Sequence, residues 1–420
     1  MKKSLRNRDV SQDQTSGKQL HLPVGELVRD NLYELVVALG LEEVRRLLEG
    51  ERTEVCGPRY RHRVERKATR AGHVKSSLPF GGRRIAVRRP RVVDETGREI
   101  PLETWQGLAA ADALTERAFE QMMLGVATRQ YRRSLDALPA EVQESGTSRS
   151  AVSRRFVEAT KARLANLIER DLQQWNIVAV YLDGLHFREH VVLVALGVDT
   201  EGRKHVLGLH EGATENEPAC TSLLSGMVTR GLRPDRMRLF VIDGAKGLRR
   251  AVENVFGQYA LVQRCQFHKV RNVISHLPKR MHAGARHALH QAYKSESPET
   301  ARRLLQNLAR SYQEDHPSAA ASIREGLDET LTTRRLGLPH RLERSFSTTN
   351  PLESVNDRLR FITHRVKRWR GGTMILRWIT AAALEAETRF RRVQGAIDMP
   401  KLVKALKDRE PALLANRRAA

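Results

Sequence analysis

The chain has 420 residues, with 73 lysines and arginines against 49 aspartates and glutamates, a formal charge of +24. That length accommodates about three domains, and a hydrophobic share of 40% excludes a wholly disordered polymer. No apolar run approaches the ~18 residues of a membrane span, and three cysteines, Cys56, Cys220 and Cys265, make no disulfide framework.

Met1–Lys18 is polar, so a secretory leader is not expected. Sparse cysteines fit a reducing cytoplasm. The positive excess predicts a polyanionic partner, most simply nucleic acid. Aromatics at 5% argue against a stacking platform for single strands and favour duplex DNA held by its phosphates. The charge is uneven. From Arg52 to Arg98 there are 14 basic and 4 acidic residues, whereas Ile177 to Val270 holds 12 and 10. Arg358 to Arg370 carries six basic residues and no acidic one. Carboxylates repel phosphate, so a central section that keeps them between basic flanks fits an enzyme that places metal ions on DNA, although charge runs alone usually mean an ordinary solvated surface.

In chain order, 1–20 reads as a flexible tail. Val24 to Leu48 places Leu27, Leu32, Leu35, Val36, Leu39, Val44, Leu47 and Leu48 at helical spacing, which predicts one or two amphipathic helices. Gly57 to Leu102, rich in arginine and valine with a Gly81-Gly82 pair, predicts short strands and turns. Together, 21–110 is expected to hold these helices and a small basic β-rich module. A helical domain follows over 111–172. Within it Gly146 suits a turn, Ser148 an N-cap, and Val152 and Phe156 a core-facing pair. Arg149, Ser150, Ser153 and Arg154 then lie outward, as a helix-turn-helix requires. A plain amphipathic helix with a basic face fits equally well.

From Asn176 the pattern turns α/β. Ile177–Leu182 is an apolar strand that stops at Asp183-Gly184, and Val191–Val198 and His205–Leu209 read as two more, joined by short connections. Glu217–Gly231 is helical, Arg238–Ile242 is a fourth strand ending at Asp243-Gly244, Lys246–Phe256 is a helix, and Ala260–Arg264 is a fifth strand. The order β-β-β-α-β is the ribonuclease H arrangement, in which the first and fourth strands lie side by side. The core is expected to comprise 173–274 and 345–395, interrupted by an all-helical insertion over 275–344 and followed by a tail over 396–420.

Two strands that each deliver an aspartate to one edge can share divalent metals, although Asp-Gly is also a common turn pair. A third carboxylate is expected from a later helix. Glu353 is the first candidate, with Asp357 and Glu343 as rivals. That helix buries Leu352, Val355, Leu359, Ile362 and Val366. Asn350 as N-cap, Pro351 in the first turn and Glu353 at the third position also form a capping box, which accounts for Glu353 without chemistry. Two Mg²⁺ or Mn²⁺ ions about 3.5–4 Å apart activate an attacking oxygen and stabilise a leaving one in phosphodiester displacement. Cys265-x-x-His268 lacks a second pair of zinc ligands, so His268 is placed beside the metals or on phosphate. Capping by Thr214 or Asn216 is favoured over a metal role for Glu215.

The series Leu182-Asp-Gly184, Val198-Asp-x-x-Gly202, Gly212-Ala-Thr-Glu-Asn216, Ile242-Asp-Gly-Ala-Lys-Gly247, Gln263-Arg-Cys-Gln-Phe-His-Lys269 with Arg271-Asn-Val273, and Thr348-Thr-Asn-Pro-Leu-Glu353 closely resembles the Mutator-type bacterial insertion-sequence transposases. The resemblance runs from about Leu27 to Leu406 and takes in Arg89-Pro90-Arg91, Thr128-Arg-Gln-Tyr131 and Val366-Lys-Arg-Trp-Arg370. It implies that Asp183, Asp243 and Glu353 are the catalytic, metal-holding acids of a DDE transposase, with Cys265 and His268 near the site.

The resulting expectation is a multidomain α+β and α/β protein with a ribonuclease-H-like core. It binds terminal inverted repeats and target DNA as double strands, and cleaves and joins strands with two Mg²⁺ or Mn²⁺ per site. It acts in the bacterial cytoplasm, away from membranes, as a homodimer or larger assembly. The DNA-contact candidates are Arg83, Arg84, Arg88, Arg89, Arg149, Ser150, Arg154, Arg155, Lys269, Arg271, Arg360, Lys367, Arg368 and Arg370. A DNA-binding regulator without catalysis and a nuclease or resolvase of the same fold are the competing readings.

Overall fold

The computed structural model describes residues 24–61, 68–110, 113–139, 141–187, 190–212, 216–364, 366 and 368–410. The expected tail over 1–20, Thr214, Glu215 and Lys367 lie outside the described residues. Among those described, one compact unit falls within Met1–Arg117 and Arg129–Ala151, the other within Ala118–Thr128 and Val152–Ala420. No described helix is long and apolar enough to cross a membrane.

The first unit opens on one continuous helix, α1 (Val24–Cys56), that buries Val37 and Leu48. Leu32, Leu35, Val36, Leu39 and Leu47 remain exposed, so the apolar spacing does not translate into one buried face. Next come β1 (Ala68–Phe80) and β2 (Arg83–Asp94), an antiparallel hairpin of strands far longer than the short ones expected. Its turn is Gly81-Gly82, with φ +53° and +87°. Two successive left-handed residues are what a two-residue hairpin turn demands, and glycine adopts them without a Cβ clash. β3 (Glu99–Ile100) pairs with β2, and α2 (Glu103–Ala110) follows. Leu48, Cys56, Ala68, Val92 and Leu102 form a small core. After α3 (Ala113–Met123), β4 (Glu144–Ser145) adds to the other end of β2.

α4 (Arg149–Glu169) begins two residues after the Gly146-Thr147 turn, and its N-terminal Ala151 N–H donates to Ser148 Oγ at 3.3 Å. Val152 and Phe156 are buried, whereas Arg149, Ser150, Ser153 and Arg154 are exposed. The second unit is then built on β5 (Ile177–Phe187), β6 (His190–Asp199), β7 (Lys204–Gly212), α5 (Glu217–Thr229), β8 (Arg238–Ile242), α6 (Lys246–Phe256) and β9 (Ala260–Arg264). Asn216 caps α5, its Oδ1 accepting from Ala219 N–H at 3.0 Å. The sheet order is β7-β6-β5-β8-β9, with β5, β8 and β9 parallel and β5, β6 and β7 antiparallel. The expected strand order and the adjacency of the first and fourth strands are both present. One boundary differs: β5 does not stop at Asp183 but runs to Phe187, because β6 continues to pair with it after β8 has ended.

Strand alternation sends the two sheet faces to different cores. Val180, Leu182, Phe240 and Ile242 pack with Leu223, Leu224, Leu248, Val252 and Phe256 of α5 and α6. Ala179, Tyr181, Leu239 and Val241 pack the other way. Each such valine, leucine, isoleucine or phenylalanine contributes about 1.5–3 kcal/mol on burial, so both layers are tied firmly to the sheet.

Past β9 the chain is helical, as expected: α7 (Gln266–Ser275), α8 (His282–Lys294), α9 (Pro298–Ser311), α10 (Pro317–Arg324) and α11 (Thr332–Arg335). Val270, Val273, Leu289, Leu305, Ile323 and Leu331 give this stretch its own apolar core. Gln263 at the end of the sheet fastens it, donating to Thr330 O at 2.9 Å and accepting from Thr333 N–H at 2.9 Å. The chain returns through α12 (His340–Phe346), α13 (Asn350–Thr363) and α14 (Gly372–Glu387), which cover the Tyr181 face with Phe346, Leu352, Val355, Leu359, Ile375 and Ile379. Val366 lies beyond the end of α13 and is only half-buried. The last stretch is not a tail as far as it is described: α15 (Met399–Lys407) buries Met399, Leu402 and Leu406 in the same core.

Candidate active site

Leu182 of β5 and Ile242 of β8 are partners in the parallel ladder. The residues after them, Asp183 and Asp243, therefore stand at one level on adjacent strands, Asp183 still paired with Val194 of β6 and Asp243 just past the end of β8. Alternation puts Asp183 on the face of Ala179 and Tyr181, and Asp243 continues that of Leu239 and Val241, the face on which α13 packs. Both aspartates are half-buried. Asp183 Oδ1 accepts from Gly184 N–H at 3.0 Å, and Asp243 Oδ1 accepts from Ala245 N–H at 2.8 Å. Gly244, between donor and acceptor, has φ +108°, a backbone that side chains other than hydrogen rarely tolerate.

Cys265 follows β9 and is fully buried, its N–H donating to Ile242 O at 2.7 Å. Its sulfur accepts from Thr349 N–H at 3.3 Å and Thr349 Oγ1 at 3.4 Å. The same hydroxyl lies 3.4 Å from His268 Nδ1. Burial works to raise the Cys265 thiol, but hydrogen bonds with His268 and Thr349 outweigh it and leave the thiol below its usual range. His268 is pushed up to about 9, first by its hydrogen bond to Cys265, against burial, with the charges of Asp183 and Asp243 adding to the rise. The charges of the two aspartates thus favour the protonated imidazole.

The start of α13 corrects one expectation. The helix begins at Asn350, its cap residue is Thr349, and no side chain caps it. Thr349 turns its hydroxyl to Cys265 and His268 instead, so the proposed capping box is absent. Asn356, one turn beyond Glu353, is buried and donates from Nδ2 to Asp183 Oδ2 at 3.0 Å. Thr349, Glu353 and Asn356 are spaced i, i+4, i+7, a single helical stripe. Glu353 falls between a residue that touches His268 and one that touches Asp183. It is half-buried in the first turn. The rivals are differently engaged. Asp357 is exposed, 4.0 Å from Arg360, and Glu343 is buried with both oxygens on Arg334, at 2.9 and 3.2 Å.

Among the described residues no three His, Cys, Asp or Glu side chains stand close enough to hold one ion. The donor chemistry nevertheless suits a hard divalent cation. Two carboxylates follow paired residues of adjacent strands, and Asn356, whose Nδ2 donates to Asp183, has a buried Oδ1 that meets no hydrogen-bond donor. Asn356 and Thr349 escaped the reading of the sequence, although the i+3 spacing from Glu353 would have flagged the asparagine.

The basic candidates divide by exposure. Arg88, Arg149, Ser150, Arg154, Arg271, Arg360, Arg368 and Arg370 are exposed, and Arg155 is half-buried. Arg83 is buried in an ion pair with Glu144 at 2.7 Å. Arg89 pairs with Glu99 at 2.6 Å over the Trp105 ring, and Arg84 donates to Ser77 O at 3.4 Å. Lys269 is only 5% exposed, its ammonium donating to Ser322 O at 2.7 Å and Glu325 O at 2.6 Å. Its charge is spent on backbone carbonyls at the end of α10. One cation that the sequence did not single out is Lys75, exposed and directly opposite Arg88 in the hairpin register.

Compared with known proteins, the chain matches the transposases of the Mutator family over residues 18–393. It is 27% identical over 418 residues to the transposase for insertion sequence element ISRM5 of Rhizobium meliloti (strain 1021), covering 97% of this chain and 99% of that one. The transposase for insertion sequence element IS6120 of Mycolicibacterium smegmatis is 32% identical over 244 residues, 56% of this chain and 72% of the relative. That for insertion sequence element IS256 in transposon Tn4001 of Staphylococcus aureus is 25% identical over 329 residues, 75% and 80% of the two chains. The class is that of transposases, proteins that act on DNA. The chain belongs to the Mutator family of transposases.

Proposed function

We propose that the protein is a DDE transposase of an insertion sequence, with a ribonuclease-H-like centre in which Asp183, Asp243 and Glu353 hold two Mg²⁺ or Mn²⁺ ions. The exposed cations of the hairpin and of α4 grip terminal inverted repeats, and a homodimer or larger assembly brings the element ends together. The observation that carries this reading is the register of Leu182 with Ile242, which sets two aspartates at one level beneath the α13 stripe that bears Glu353.

The three carboxylates orient the scissile phosphate and the attacking oxygen, first water and then the freed 3′-hydroxyl. Cations at that edge supply charge neutralisation and activation of the attacking oxygen. Glu353 is drawn towards the aspartates when cation and DNA are present. His268, protonated, offsets the aspartate charge while DNA is absent and is placed to face a phosphate. Positioning and electrostatics carry the reaction, with no covalent link between protein and DNA.

The test uses a pre-nicked oligonucleotide of the element's own end with Mg²⁺ or Mn²⁺. Metal-dependent joining to a target strand supports the reading. Cutting without joining assigns a nuclease instead, and binding without either assigns a regulator.

A further inference from the structure

Asn356 is 4% exposed and reaches Asp183 across 173 residues of chain. Its amide cannot be turned round, because the oxygen would then face a carboxylate oxygen. The N–H therefore holds Asp183 Oδ2, and Oδ1 points elsewhere. That oxygen is buried and has no hydrogen-bond donor, a state proteins avoid unless the atom has another task. Leu352, Val355 and Leu359 already fasten α13 to the sheet, so packing alone has no need of an amide at this position.

We propose that Asn356 is a positioning residue of the cation centre. Its N–H fixes the Asp183 carboxylate, and its amide oxygen faces the hydration shell of the divalent cation. This rests on the reading that Asp183 and Asp243 hold such a cation. Neutral amide oxygens are ordinary partners of hard cations and of the waters these keep. Residues that orient metal-binding carboxylates typically change metal affinity 10–100-fold when removed.

The experiment is a Mn²⁺ titration of the full chain without DNA, following the rise in Tm over the value in EDTA. Wild type gains Tm with Mn²⁺, and Asp183→Asn loses that gain. Asn356→Ala is expected to need roughly 10-fold or more Mn²⁺ for the same gain. Asn356→Asp keeps the shape but sets a second carboxylate against Asp183. It should lower Tm in EDTA and enlarge the Mn²⁺ response. If Asp183→Asn loses the response while both Asn356 variants titrate as wild type, the role of Asn356 is overturned and the cation reading stands. If wild type shows no response, or Asp183→Asn titrates as wild type does, the cation reading falls and takes this inference with it.

Discussion

Leu182 and Ile242 face each other across a parallel ladder, and the carboxylates that follow them share a level and a face, with both of their charges raising the His268 imidazole. Neither aspartate is needed to hold the strands, which are fixed by apolar residues on both faces. Asp183→Asn and Asp243→Asn should therefore leave Tm in EDTA near the wild-type value. Joining of a pre-nicked end should fall on the order of 10³-fold. A joining assay beside a thermal melt checks both halves, and joining at wild-type rate by either variant contradicts the assignment.

Three glutamate and aspartate candidates for the remaining acid separate by what they touch. Glu353→Gln should lose joining with little change in stability. Glu343→Gln leaves Arg334 without its forked partner and should destabilise by about 3 kcal/mol, as breaking a buried pair does. Asp357→Asn, on an exposed position, should do neither. Denaturant melts and joining assays on the three variants give three distinct signatures.

Lys75 and Arg88 are directly opposite on the hairpin. Like charges so placed repel, at a cost of roughly 0.2–1 kcal/mol, which an anion between them relieves. Replacing both with glutamine should leave Tm unchanged or slightly raised. The slope of log affinity for duplex ends against log salt should become shallower by about 2, one counterion contribution for each lost phosphate contact. An unchanged slope removes the hairpin from the DNA.

Burial, with Arg264 nearby, lowers the Lys269 ammonium from 10.5 to about 8. The folded state thus disfavours the charged form. Below pH 8 both states hold the proton, and the penalty is fully present. Between pH 8 and 10.5 the unfolded chain binds more protons, so this group's contribution to stability rises with pH, by about 3 kcal/mol in all. The neutral amine keeps two N–H groups for its two carbonyl acceptors. Lys269→Met should abolish that rise in urea melts taken from pH 7.5 to 10.5.

What the sequence disclosed follows from how local the physics is. Arg238–Ile242 and Ala260–Arg264 read correctly because buried parallel strands are nearly continuous apolar runs with sharp ends. The end of β5 is not legible in the sequence, because Gly184 and His186 break the apolar run and the pairing that extends the strand comes from β6. The true start of α13 was hidden because Thr349 answers to Cys265, 84 residues away. Lys269 and Arg83 are of residue types that usually sit at the surface. Their burial depends on the Ser322 and Glu325 carbonyls and on Glu144, which no local pattern reveals.

Most of the helices between β9 and α12 share a core of their own, and they meet the sheet through the Gln263 amide, the Arg264–Glu329 ion pair at 2.6 Å and the Thr332 hydroxyl on Val262 O at 2.6 Å. Such a module is replaceable. A shorter or longer helical cassette could replace α8 and α9 and leave Cys265, His268 and the two aspartates untouched, provided it refills the core against Val273, Ile323 and Leu331. That makes the segment the natural place to install a fluorescent reporter or a targeting domain.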